Sequence, residues 1–542
     1  MPSQPPPSYP KLGYPLPDQD PYGISVYLPT WRDTLGWASR DPAVLAQLKT
    51  GYPRFFIPHV VRELASRLLQ KANPLLSDAR IDQSEVSALL IAGHRSALEC
   101  QTYLQRCGST ESVVLHATLA GSIQMVSRSQ TLTKDNVSYD ELYLITHPED
   151  LALEAKAFWQ HTGSGISSRC AVYWLEYNSV MPREIPMKEA VKAMSILHDR
   201  IASSFSTDSI KVAPSDVILY PTGMSAISQS AKAIQDWRGR NDIRVAVFGF
   251  LYVDTFKVLS RIHAIDCVLY GHASSQNLTA LETDLENGMK IDALYTEFPG
   301  NPLLNSADLD YLHQLSTRYG FLLVVDDTVG TATNLALFPS CDVICTSLTK
   351  MFSGGCNVMG GSTALNLKSP WYNEIRQAFS QQPNEPYFPL DVLVMEKNSR
   401  DVANRVRKAS SNAENLVNIL RSHQTVSEVF YPKGIASQSV YDRFKRPGAG
   451  YGFLLSITFR TPSAAKAFHD ALHVAKGPSL GAKFTLCCAY TLLAHFKELE
   501  WAAQFGVHEH LVRISVGVED LELLKTLTCN ALDAAAAAAA AE

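Results

Sequence analysis

Apolar residues change their period along this chain, and the changes divide it. From Asp216 onward, short and nearly continuous apolar runs recur at Val217–Leu219, Val245–Phe250, Ala293–Thr296, Leu322–Val325 and Val343–Cys345. Between several of them lie segments with helical spacing, such as Ser225–Trp237 and Ala307–Tyr319. Unbroken apolar strands alternating with amphipathic helices predict a parallel sheet covered on both faces, with ligands bound at the carboxyl ends of its strands. Upstream the pattern is weaker. Residues 1–22 are rich in Pro, Ser and Tyr without periodicity, which predicts a mobile or extended segment. Ser25–Trp31 and Gly51–Phe56 are aromatic pieces expected to pack onto another part of the protein. Val60–Gln70 and Glu85–Gln105 carry helix-forming residues with an apolar face, while Ser112–Leu119 and Glu141–Ile145 read as strands. Beyond Leu390 a long helix, Val402–Ser422, precedes an alternating stretch, Phe453–Phe459, as in a smaller α+β domain. The run Ala534–Ala541 shows no packing pattern.

These readings give five segments. They are an N-terminal stretch (1–22), a small α/β extension without a recognisable chemical motif (23–150), a large α/β domain with an N-terminal arm (151–389), a C-terminal domain (390–533) and an alanine-rich tail (534–542). A chain of 542 residues supports roughly two to four domain-sized units. Composition narrows the class: 46% hydrophobic and 19% charged is globular, and a net charge of -5 gives no basic footprint for nucleic acid. No apolar run is long enough to predict a membrane helix. The ten cysteines form no CxxC pairs, and several sit in apolar runs, which predicts reduced thiols in a cytoplasmic protein.

Chemistry gathers at the strand ends. Lys350 lies in Thr346–Gly355, just past the apolar run at Val343. An amine there is costly to bury unless chemistry uses it, for example as a Schiff base with pyridoxal phosphate (PLP); a solvated lysine at a strand end is the plain alternative. Tyr220-Pro221-Thr222-Gly223-Met224 leads into a helix, so it is either an anion-binding turn or simply a cap. Tyr252 follows the second run and is suited to stacking on a flat cofactor or to core packing. Asn301 follows the third, in an Asn-Pro that is also a common turn. The fourth ends in Asp326-Asp327-Thr328, where two adjacent carboxylates need a cation or a shared proton. A protonated pyridine nitrogen opposite Asp326 is such a cation. No ligand set for a metal is evident; the short-spaced pair His508 and His510 stands alone.

In this order, from Phe158 to Leu532, the segments FWQHTGSGISSR, YPTGMSA, FLYVDTFK, TEFPGNPLL, VVDDT, TSLTKMFSGGCNVMGGS, EKNSRD, GYGFLLSITF, GPSLGAKFTL and VRISVGVED resemble the fold-type I PLP enzymes of Cys/Met metabolism, in particular the fungal cystathionine γ-synthase type. Gly51–Phe56 also resembles the fungal N-terminal extension. The resemblance implies a large, mostly parallel PLP-binding domain and a smaller C-terminal α+β domain. It assigns Lys350 to the cofactor aldehyde, Asp326 to the pyridine nitrogen and Tyr252 to the ring face. Gly223, Met224, Thr328, Ser347 and Thr349 would cradle the cofactor, most of them at its phosphate. Arg169 would reach the phosphate of a neighbouring subunit, and Asn301, Ser479 and Arg513 would hold the substrate carboxylate. Active sites shared across a homodimer or tetramer are implied as well. Three departures stand out: Ser167-Ser168-Arg169 where a Tyr-x-Arg is usual, so that a tyrosine phosphate ligand is missing there; Val253-Asp254 in place of Gly-Gly; and Asp326-Asp327-Thr328 in place of Asp-Asn-Thr. The implied reaction is γ-replacement on an O-acyl-L-homoserine, with cysteine thiol giving cystathionine. A carbon nucleophile, γ-elimination, transamination or a non-catalytic role are the alternatives.

Overall fold

The computed structural model describes residues 9–78, 86–109, 111–126, 139–177, 184–382 and 386–542. At its centre is a seven-stranded sheet in the order Val217–Tyr220, Gly361–Leu365, Val343–Thr346, Leu322–Asp326, Ala293–Glu297, Arg244–Phe248 and Asp266–Tyr270. Only Gly361–Leu365 runs against its neighbours. All five strands expected from the apolar runs are present, and the architecture is the mostly parallel α/β sheet expected from them. Period-two alternation sorts the side chains cleanly. Val245, Val247, Tyr295, Val324 and Val343 enter one apolar cluster, while Ala246, Phe248, Leu294, Leu323 and Ile344 enter another on the opposite face. Two strands had no apolar signature. Asp266–Tyr270 is an edge strand opening on an exposed aspartate, and Gly361–Leu365 is built from small residues because the chain at Thr222 passes directly against Gly361.

The C-terminal portion forms a five-stranded sheet, Val426–Phe430, Leu454–Phe459, Val512–Ser515, Leu486–Ala489 and Ala475–Lys476, packed against helices Val402–Arg421, Pro462–Ala471 and Leu521–Ala540. The alanine run continues the last helix, and Ala535 is fully buried in this core, so it does pack. The N-terminal portion holds a four-stranded antiparallel sheet of Val86–Ile91, Glu141–Pro148, Val114–Thr118 and Ile123–Met125, with helices His59–Asp78, His94–Arg106 and Ala152–Thr162. The first part of the expected 85–105 helix is thus a strand, and Glu85 itself lies outside the described residues. This unit does not stand apart. Ile91, Leu104, Tyr143, Phe158 and Trp159 share one continuous apolar cluster with the large sheet.

Residues 9–22, expected to be mobile, are packed instead. Pro15–Leu16 pairs with Ser25–Val26, Leu16 is buried, and Tyr9 stacks on Tyr27. Residues 1–8 lie outside the described part.

Strand alternation also resolves the double aspartate. Asp326 faces the cavity that holds Lys350, whereas Asp327 turns away beneath Thr346, whose hydroxyl donates to it. Burial pushes the Asp327 carboxyl up to about 7, with the Asp326 charge adding to it against the Thr346 hydrogen bond. A carboxyl raised on folding stabilises the fold most at low pH, and that contribution is lost as pH rises from its unfolded value of about 4 through about 7. Urea unfolding of the cofactor-free protein at pH 5 and at pH 8.5 should therefore show Asp327→Asn gaining stability relative to the native chain as pH rises. An equal difference at both pH values would contradict a buried, raised Asp327.

Candidate active site

A cavity of about 950 Å³, counting its open mouth, lies at the carboxyl ends of the parallel strands. Lys350 enters it from the turn after Val343–Thr346 and is 9% exposed. Its Nζ donates to the Tyr52 hydroxyl and lies 4.6 Å from the centroid of that ring. Asp326 ends the adjacent strand, with Oδ1 accepting from the Thr328 amide at 2.8 Å. Burial raises its carboxyl; the Thr328 hydrogen bonds and the Lys350 charge oppose that. The Thr328 hydroxyl in turn accepts from the Ser347 amide at 2.7 Å, which ties the two strand ends together.

On the opposite wall, helix Gly223–Arg238 presents its N-terminal turn. Thr222 caps it by accepting from the Ser225 amide, and Thr222, Gly223 and Met224 all line the cavity. The positive end of this 16-residue helix favours an anion there. Gly223 is required by proximity, since a Cβ would lie 2.6 Å from that of Ser347. Ser347 and Thr349 line the same wall, with the Thr349 side chain bonded to the backbone of Gly360.

Glu297 is fixed between two cavity residues, one carboxylate oxygen accepting from the Tyr252 amide and the other from the Asn301 amide. Burial and then the Asp326 charge push its carboxyl up to about 8, against those two amides. Arg513, 4% exposed on Val512–Ser515, donates to Asn301 Oδ1 at 3.1 Å and to the Pro478 and Ser479 carbonyls. Its guanidinium lies 4.8 Å from the centroid of the Tyr490 ring. These partners are neutral oxygens and a ring face, so its charge is available to a carboxylate ligand.

Ten of the expected residues therefore surround one cavity: Gly223, Met224, Tyr252, Asn301, Asp326, Thr328, Ser347, Thr349, Lys350 and Arg513. Two do not. Ser479 meets Arg513 only through its carbonyl, and Pro478 and Leu480 supply the wall on either side. Arg169 is paired within the chain to Asp391 at 2.8 Å, under the Tyr22 ring, and lines a neighbouring cavity.

Sequence reasoning missed Tyr52 and Arg54. Arg54 is 5% exposed, lines both cavities, and has two guanidinium nitrogens, Nε and Nη2, buried without a hydrogen-bond partner among the described residues. A Tyr-x-Arg spacing does occur at Tyr52-Pro53-Arg54, more than a hundred residues before the place where it was sought, and both residues line the cavity. The signal was that spacing itself, in a segment noted for its aromatic content and its resemblance to the fungal N-terminal extension.

This donor and acceptor set fits PLP. It offers one buried amine, a carboxylate facing it, an aromatic wall at Tyr252, a helix N-terminus, and an arginine with orphaned donors.

Comparison with known proteins agrees. Residues 210–533 match the family described as Cys/Met metabolism PLP-dependent enzyme, and residues 60–167 match the fungal trans-sulfuration enzyme N-terminal domain. The chain is 31% identical to a cystathionine gamma-synthase of Neurospora crassa, covering 97% of this chain and 98% of that one. It is 35% identical to the cystathionine gamma-synthase-like protein ankD of Aspergillus thermomutatus (94% and 92% covered). It is 34% identical to the cystathionine gamma-synthase-like enzyme iboG1 of Amanita muscaria (94% and 96% covered). Among solved structures, cystathionine gamma synthase from Xanthomonas oryzae pv. oryzae in complex with cystathionine shares the fold, with a TM-score of 0.55 at 20% identity over 67% of this chain and 91% of that one. The chain belongs to the Cys/Met-metabolism PLP-dependent enzymes, in the branch that carries the fungal trans-sulfuration N-terminal domain, and PLP is its cofactor.

Proposed function

We propose that the protein catalyses γ-replacement on an O-acyl-L-homoserine, with the thiol of cysteine as nucleophile and cystathionine as product. The single observation that carries this reading is the convergence of Lys350, Asp326 and Arg513 on one cavity in a chain of this family. PLP, when bound, supplies an electron-withdrawing ring joined to the substrate amine. Asp326 keeps its carboxylate toward the pyridine nitrogen, and Tyr252 provides the ring face. Gly223, Met224, Ser347, Thr349 and Arg54 take the phosphate. Arg513, steadied by Asn301, clamps the substrate carboxylate. That orients the α-hydrogen toward the Lys350 amine, which removes it as a base, passes that proton to the cofactor aldehyde carbon and, neutral again, removes a β-hydrogen; both protons go back through the same amine, to Cβ and then Cα, once the nucleophile has added. The acyloxy group leaves Cγ with its bonding electron pair. The thiol then adds at Cγ and gives up its proton, and the net change is one thioether and one carboxylic acid. The Tyr52 hydroxyl, bonded to Nζ, holds the lysine amine in place between these transfers.

One observation favours a second reading of the nucleophile. Phe55, Leu480, Leu493 and Ala494 give the cavity an apolar wall, which suits a nucleophile without charged ends, such as the enol of a carbonyl compound. Incubation with O-acetyl-L-homoserine and either cysteine or an enolisable aldehyde, followed by mass analysis, separates the two. Cystathionine is the expected product; carbon-linked product alone would replace this reading by the second, and absence of acetate release with every nucleophile would contradict γ-replacement.

Arg513→Lys loses the forked geometry and should raise KM for the amino-acid substrate by about tenfold or more, with a smaller effect on kcat. Unchanged KM would remove Arg513 from the carboxylate site. We propose further, from the family resemblance, that active sites are shared across a homodimer or tetramer. If Arg169 serves the neighbouring site, mixed dimers of Arg169→Ala and Lys350→Ala should regain activity that neither variant has alone; no recovery in verified mixed dimers would make Arg169 a residue of its own subunit.

A further inference from the structure

Three parts of the chain, far apart in sequence, meet at one carboxylate behind the cavity wall. Asp254 is fully buried. Its Oδ1 accepts from His161 Nδ1 at 2.8 Å and from Gln160 Nε2 at 3.1 Å. Its Oδ2 has no hydrogen-bond partner among the described residues and lies 3.6 Å from Arg54 Nη2. Burial pushes this carboxyl up, but the His161 hydrogen bond, the His161 and Arg54 charges and the Gln160 hydrogen bond together hold it below the usual carboxylate range. It is therefore an anion beside the arginine. The Tyr252 phenol, two residues upstream, is buried as well, and burial and then the Asp254 charge raise it.

Gln160 and His161 close the helix Ala152–Thr162 of the N-terminal unit. The residue after that helix, Gly163, has φ +74°, and its carbonyl accepts from the Thr222 hydroxyl at 3.3 Å. A Cβ at Gly163 would lie 2.1 Å from Thr222 Oγ1. One helix end thus touches both Asp254 and the cap of the phosphate-facing turn. A buried guanidinium with no counter-charge turns toward water. A carboxylate at 3.6 Å restrains it by charge, yet occupies neither of its orphaned donors.

We propose that Asp254, held by Gln160 and His161, is a positioning residue that keeps Arg54 at the cavity wall with its free donors turned to the cofactor phosphate, and that bracing this pair is a function of the N-terminal unit. The proposal rests on the reading of Arg54 as a phosphate ligand. It ties the Val253-Asp254 departure to the separate position of Tyr52-Pro53-Arg54: the arginine arrives from outside the large domain and needs an anchor inside it.

The test compares dissociation constants for PLP and for pyridoxal, which lacks the phosphate, read from cofactor absorbance in the full-length protein. Asp254→Asn should weaken PLP about tenfold and pyridoxal by less than about twofold, since only the phosphate meets Arg54. Arg54→Gln should weaken PLP at least as much, and adding Asp254→Asn to it should cost little more. If Asp254→Asn does not fold, His161→Gln, which removes one restraint, should show a smaller loss confined to PLP. Unchanged or tighter PLP binding in Asp254→Asn, or in His161→Gln where it is the variant that folds, or an equal loss for pyridoxal, overturns the proposal. An Arg54→Gln variant that binds PLP normally refutes the phosphate reading of Arg54, and this proposal with it.

Discussion

The architecture turns on confining cations at one end of a parallel sheet. Lys350, Arg513 and Arg54 are each less than a tenth exposed and line the same cavity. Removing an ion from water costs several kcal/mol even after relaxation, and these three are incompletely matched within the chain. Lys350 meets a phenol, Arg513 meets neutral oxygens, and Arg54 keeps two orphaned donors. Such a set suits the proposed ligands, whose anions would complete it: the cofactor phosphate at Arg54 and the substrate carboxylate at Arg513. The two carboxyl groups at the cavity floor, Glu297 and Asp326, face each other across paired strands. Both are raised by burial, which fits a site whose balance of charge is completed by a cationic ring.

The rest of the fold places these groups. Parallel strands deliver Tyr252, Asn301, Asp326 and Lys350 to one edge because each strand ends in a turn toward the same side. The C-terminal sheet brings Arg513 against Asn301, more than two hundred residues away in sequence. The N-terminal unit shares its core with the large sheet, and Tyr52 and Arg54 from the N-terminal part of the chain line the cavity. It acts as part of the site rather than as an appendage.

Most of the large sheet was legible in the sequence because its strands are buried on both faces and so read as unbroken apolar runs. Strand-end residues followed from the rule that ligands sit at carboxyl ends. The limits have physical causes. Asp266–Tyr270 lies at an edge, where the apolar demand is relaxed, and Gly361–Leu365 is selected for small size rather than for hydrophobicity. Tyr52 and Arg54 sit in a segment without regular structure, some three hundred residues before Lys350; their Tyr-x-Arg spacing is visible in the sequence, but no local pattern reports the distant site they meet. The packing of the alanine run was missed because alanine gives no amphipathic contrast, yet Ala535 is fully buried.

The central claim is that the amine at position 350 carries the cofactor. Borohydride reduction of the PLP-loaded protein, followed by proteolysis and peptide mass mapping, tests it most directly. The account predicts one phosphopyridoxyl group per chain, on the peptide containing Lys350. Labelling of a different lysine, or none in protein shown to retain PLP, would contradict it.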